Sequence, residues 1–136
     1  MKLTDIIGLE EKHAKLLEKA GIRELEDLMS LSYSQVSKLA MAIGVIVETI
    51  DTWQEQADLM RIEGITPEIA NALNLTGIDS VKDFAGRNAK NTIEKLDQLK
   101  KDNPKVLTKV PSLRSVEDWI EKARRRTTRR RIGGRR

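Results

Sequence analysis

The chain of 136 residues contains no cysteine, one histidine and three prolines, and only 3% of its residues are aromatic. Without cysteine there are no disulfide staples and no thiol chemistry. With a single histidine besides, a transition-metal site has almost no ligands to draw on, and no metal or other cofactor is expected. Scarce aromatics leave Leu, Ile, Val and Ala to build any core. No apolar run approaches the roughly 18 residues of a membrane span. The start, Met1-Lys2-Leu3-Thr4-Asp5, lacks the apolar stretch of a secretory signal. Enzyme motifs are missing as well. There is no Gly-x-x-x-x-Gly-Lys-Ser/Thr loop, no metal-ligand spacing and no nucleophile motif. The 21 carboxylates argue for no reaction, because an acid–base pair can be picked from any such set. The expectation is a cytoplasmic protein that is not an enzyme, has no small-molecule substrate and does not insert into a membrane.

Charge is abundant, and it is unevenly placed. Charged residues make up 34% of the chain, with a formal net charge of +4. From Lys122 to Arg136 there are nine Lys/Arg and no acidic residue, which leaves residues 1–121 with 16 basic and 21 acidic side chains, a balance of −5. The body is thus mildly acidic and the basic character resides at the end. A segment so rich in Arg, containing Gly133-Gly134 and almost nothing apolar, is expected to be disordered when free. Such tails bind phosphate backbones, acidic proteins or anionic membrane surfaces. A plain solubilising end, or cations that favour a helix C-terminal dipole, is the alternative.

The chain also repeats itself. Residues 8–22 align with residues 64–78 without a gap, at an offset of 56. Gly8 matches Gly64, Ala14 matches Ala70, Leu17 matches Leu73, and Gly21-Ile22 matches Gly77-Ile78. Further on, Leu25, Asp27 and Leu28 match Val81, Asp83 and Phe84. Trp53-x-x-x-Ala57 matches Trp119-x-x-x-Ala123 at an offset of 66, so the second unit carries about ten extra residues. The loop from Asp102 to Ser112, with Pro104 and Pro111, is the simplest place for them.

Local signals predict helices throughout. Gly8 and Gly64 precede a helix, where a tight turn needs positive φ or close backbone approach. Thr66 is a natural N-cap and Pro67 suits the first helical position. Gly21 and Gly77 stand just past a helix end, the usual place for a left-handed residue. Further helices are expected over 34–43, closed by Gly44, and over 46–60 with Ile50, Trp53 and Ala57 on one face. Two more are expected over 91–101 with Asn91 as cap, and over 115–126 with Ser115 as cap. Ser80-x-x-Asp83 resembles a capping box. Nothing alternates with period two long enough to be a strand. The fold class is all-α: repeat one over 1–60, repeat two over 61–124, packed as one helical domain, then an Arg-rich tail over 125–136.

The pattern Gly-apolar-x-x-x-x-Ala-x-x-Leu-x-x-x-Gly-Ile resembles the helix-hairpin-helix motif of repair glycosylases, ligases, nucleases and polymerases. Two such units, each closed by a Trp-x-x-x-Ala helix, resemble an uncharacterised domain family of tandem helix-hairpin-helix-like units, over residues 3–124. The resemblance implies a hairpin reading Gly-apolar-Gly-x-Lys-x-Ala, whose amides hold one phosphate without reading sequence. Carried over, this marks Gly8, Leu9 and Lys12 in unit one, and Gly64, Ile65 and Thr66 in unit two. Both units depart from the pattern: Glu10 replaces the second glycine of unit one, while unit two has Thr66 there and Glu68 in place of the lysine. A carboxylate at that place opposes phosphate, although it suits the helix dipole when no phosphate is bound. The hairpins are therefore either phosphate contacts, with unit one favoured through Lys12, or purely structural turns. His13 beside Lys12 is a further donor or simply an exposed ring. Trp53 and Trp119 repeat in register, which points to packing; base stacking is the alternative.

The expected function is largely sequence-independent binding of nucleic acid, DNA in preference to RNA. Lys122, Arg124, Arg125, Arg126, Arg129, Arg130, Arg131, Arg135 and Arg136 would carry it, with hairpin contacts added. The other expectation is a protein–protein module whose acidic bundle binds a partner, its tail docking on an acidic protein. The first would place the chain near the nucleoid.

Overall fold

Short polar side chains set the helix starts. In the computed structural model, which describes residues 2–134 and the side chains of 2–127, the oxygens of Ser32, Thr66, Ser80 and Asn88 each accept the amide three residues on. Ser32 and Gln35 do so reciprocally, at 3.2 and 2.8 Å, a capping box. The helices are α1 (Glu11–Lys19), α2 (Leu25–Met29), α3 (Tyr33–Ile43) and α4 (Val47–Leu59). They continue as α5 (Pro67–Leu75), α6 (Val81–Ala85), α7 (Ala89–Asp102) and α8 (Leu113–Gly134), after a short 3-10 turn at Leu3–Asp5. Among the described residues there is no strand, and the all-α class stands.

Two starts differ from the local reading, and a third only in its return bond. Asn88, not Asn91, caps α7, and Ser112, not Ser115, opens α8. In each case two capping residues stand three apart, and the earlier oxygen accepts the amide of the later residue, at 3.0 and 3.1 Å. The later residue thereby becomes part of the first turn. At α6, Ser80 accepts Asp83 N–H as expected, but the Asp83 carboxylate takes the amide of Asp79 rather than returning to Ser80.

The two halves end their first helices alike. Gly21 and Gly77 have φ of 87° and 102°, and Ile22 and Ile78 donate back to Leu17 and Leu73 at 2.9 and 3.1 Å. This is the Schellman arrangement, and it buries both leucines completely. In the first half α2 and α3 pack on α4; in the second, α6 and α7 pack on α8. The halves meet where α4 lies against α5. One apolar cluster runs across that joint, from Leu17, Leu28 and Trp53 to Leu73, Phe84, Leu96 and Ile120.

The last helix is longer than expected. Its backbone is described as far as Gly134. Arginine is nearly as good a helix former as alanine, and no glycine or proline interrupts the run before Gly133. Met1, Arg135 and Arg136 lie outside the described residues. Among the described residues, no helix is long and apolar enough to cross a membrane.

Candidate nucleic-acid interface

Each hairpin is a tight turn stapled by its own backbone. Leu9 N–H donates to Ile6 and Ile65 N–H to Ile62, both at 3.1 Å. Between them Gly8 and Gly64 have φ of 95° and 98°, which L side chains rarely adopt. Leu9 and Ile65 are buried, so their side chains belong to the core and only their backbone reaches the turn. A tryptophan lies under each glycine. A Cβ at Gly8 would stand 3.9 Å from Trp53 Nε1, whereas one at Gly64 would stand 2.8 Å from Trp119 Nε1. Both indoles are buried packing groups and not exposed platforms for a base.

The turn at Gly8 is followed by Lys12, with a counter-charge beside it. Lys12 Nζ lies 3.7 Å from Glu10 Oε1, and both side chains are mostly exposed. His13 is neither an exposed ring nor, at Nδ1, a donor. It is half-buried against Trp53, with ring centroids 5.2 Å apart, and its Nδ1 accepts Glu10 N–H at 3.0 Å.

The second hairpin has its groups committed internally. Thr66 Oγ1 accepts Ile69 N–H at 3.2 Å, and Pro67 has no amide to offer. The Glu68 carboxylate accepts Thr108 N–H at 2.7 Å and Thr108 O–H at 3.1 Å, across 40 residues of chain. Lys122 reaches in from α8, donating to the Glu63 carbonyl at 3.2 Å while pairing with Asp118 at 3.1 Å. The fold thus brings Gly64, Ile65, Thr66 and Lys122 together, and leaves Gly8, Leu9 and Lys12 at the other hairpin.

Beyond Lys122 the basic residues continue along α8. Arg124 donates to the Ala85 carbonyl at 3.1 Å and lies 4.0 Å from Glu121. Arg125 is exposed and Arg126 half-buried. The side chains of Arg129, Arg130 and Arg131, and the whole of Arg135 and Arg136, lie outside the described residues. The acidic charge is concentrated elsewhere: residues 1–60 hold six Lys/Arg and eleven Asp/Glu, whereas residues 61–121 hold ten of each.

Two carboxylates serve structure. Asp27 accepts the amides of Arg23 and Glu24 at 3.0 and 3.1 Å, which holds its carboxyl below the usual range. At Asp83 burial pushes the other way, but the Arg87 guanidinium at 3.0 Å and the Asp79 amide outweigh it, so this carboxyl too is lowered.

Sequence reasoning missed the tether between Glu68 and Thr108, and with it Lys100, whose Nζ donates to the Thr108 carbonyl at 2.8 Å. One signal was present. Leu107 stands between Lys105 and Lys109, next to Val106, and it is fully buried, an anchor for the loop.

The sequence model of one family, described as a domain of unknown function (DUF4332), matches residues 7–126. No curated protein and no solved structure matches the chain.

Proposed function

The chain belongs to this DUF4332 family, and from its charge and its hairpins we propose that it binds nucleic acid without catalysing a reaction. In this reading residues 1–60 and 61–124 are two tandem units related to the helix-hairpin-helix, and they act as a rigid base for α8. The observation that carries it is the run of nine Lys/Arg without one acidic residue from Lys122 onward, seven of them on a single helix. The helix continues for about 16 Å past Ala123, at 1.5 Å per residue. A cationic rod of that kind neutralises phosphates without reading bases, so binding is salt-steep and largely independent of sequence. Duplex DNA is the favoured partner. The hairpins add little as phosphate sites, because Glu10 stands beside Lys12 and Thr66 already fills one amide of α5.

A second reading has its own support. The acidity of residues 1–60 and the closed hairpins suit a protein-interaction module whose arginines dock on an acidic partner.

Titrating binding to duplex and single-stranded DNA against salt separates the two. In the intact chain, log K should fall steeply and linearly with log salt. With Arg125, Arg126, Arg129, Arg130 and Arg131 changed to Gln, the slope should become shallower by about 0.9 for each phosphate no longer neutralised. If the intact chain binds neither form at low salt, the nucleic-acid reading fails and the protein-partner reading takes its place.

A further inference from the structure

The second half of the chain exceeds the first by a loop. In the first half, α3 and α4 are joined by Gly44-Val45-Ile46, which carries no charge. The corresponding connection between α7 and α8 runs through Asn103 to Ser112 and adds Lys105 and Lys109 with no acidic residue. From Lys100 to Arg114 there are five Lys/Arg and one carboxylate, Asp102.

We propose that this insertion supplies the phosphate-contacting lysines that the second hairpin lacks: Lys105 and Lys109, with Lys122, form a basic rim beside residues 63–68 for the backbone of a nucleic acid. The inference rests on the nucleic-acid reading above and adds a contact surface on the folded body.

Three tethers hold the rim in place. Leu107 is buried completely and seats the loop in the core. Thr108 is held at every polar atom: its amide and hydroxyl by Glu68, at 2.7 and 3.1 Å, and its carbonyl by Lys100 at 2.8 Å. Lys109 follows directly in the chain, and Lys105 lies three residues before Thr108; both are exposed. Lys122 donates to the Glu63 carbonyl at 3.2 Å and pairs with Asp118 at 3.1 Å. Glu68 stands where the resemblance implies a lysine, and at first sight it repels phosphate. Its carboxylate instead accepts two hydrogen bonds from the loop that carries the lysines, which makes it a positioning residue for them.

This assignment fixes the sign of a substitution. A carboxylate that merely repels phosphate improves binding when removed, whereas one that positions the lysines weakens it. The experiment is the salt titration of duplex DNA binding with the full chain and four variants, each checked for an unchanged unfolding midpoint. Lys105→Gln with Lys109→Gln should flatten the log–log slope by about 1 to 2, at about 0.9 per phosphate. Glu68→Ala should weaken binding and flatten the slope with every lysine still present, and Glu68→Gln, which keeps an acceptor for the Thr108 amide, should restore both. Lys90→Gln with Lys95→Gln, on α7 away from the loop, should leave the slope as it is. Tighter binding by Glu68→Ala, or an unchanged slope in the Lys105/Lys109 variant, overturns the inference while binding by the intact chain stands. Absence of binding by the intact chain overturns the underlying reading and this inference with it.

Discussion

Gly8 and Gly64 share a backbone conformation and differ in what lies beneath them. An alanine at either position meets the strain of positive φ, of the order of 1–3 kcal/mol. At Gly64 the added methyl would also fall 2.8 Å from Trp119 Nε1, against 3.9 Å from Trp53 Nε1 at Gly8. Gly64→Ala should therefore cost more stability than Gly8→Ala in urea unfolding; equal losses would mean that the indole gives way freely. The paired carboxylates act at the same scale. Asp27 and Asp83 have folded-state pKa values below their ordinary ones. The stability they add is complete above the unfolded-state value of about 3.9 and is lost as pH falls through the lower folded-state values. The thermal midpoint should hold at neutral pH and fall below about pH 4. In a variant with Asp27→Asn and Asp83→Asn, the midpoint at neutral pH should be lower and its acid drop smaller, as read by circular dichroism.

At the level of elements, helix ends are local and their partners are not. The capping oxygens lie three residues from the amides they accept, so a short stretch of sequence holds the whole signal. The choice between Asn88 and Asn91, or Ser112 and Ser115, follows only once the earlier oxygen is seen to use the later amide. The insertion shows the opposite case. Its conformation is set by Leu107 in the core and by Glu68, 40 residues away from Thr108. Leu107→Ala should accordingly behave as a core truncation and not as a loop substitution, costing about 2–5 kcal/mol in chemical denaturation. A loss under about 0.5 kcal/mol, the range of ordinary surface changes, would show the loop to be loosely held.

For the whole molecule, two features set behaviour. The apolar cluster passes through the joint of α4 and α5, so the halves should unfold as one. Trp53 reports on the first half and Trp119 on the second. In Trp53→Phe and Trp119→Phe, the remaining indole should give the same urea midpoint as the far-UV signal of that variant. Separate midpoints would show two independent units. The second feature is the separation of charge, with −5 in residues 1–60 and +9 from Lys122 onward. In the nucleic-acid reading, a polyanion would be drawn to the basic segment and repelled by the acidic one. Association with DNA should therefore slow sharply as salt rises, and stopped-flow rates at two salt concentrations measure this.

Composition and local pattern were enough for the all-α class, the positive-φ glycines after α1 and α5, the place of the insertion and the concentration of arginine. Each of these is encoded within a few residues or by counting. Tertiary structure alone decided that Trp119 sits under Gly64, that His13 Nδ1 is an acceptor beside Trp53, and that Lys122 donates to the Glu63 carbonyl beside Gly64. It also decided that Glu68 faces Thr108 and not open solvent. The physical reason is separation along the chain. A cap or a left-handed glycine is settled by neighbours within one turn, whereas the environment of a carboxylate depends on which distant loop the core draws against it.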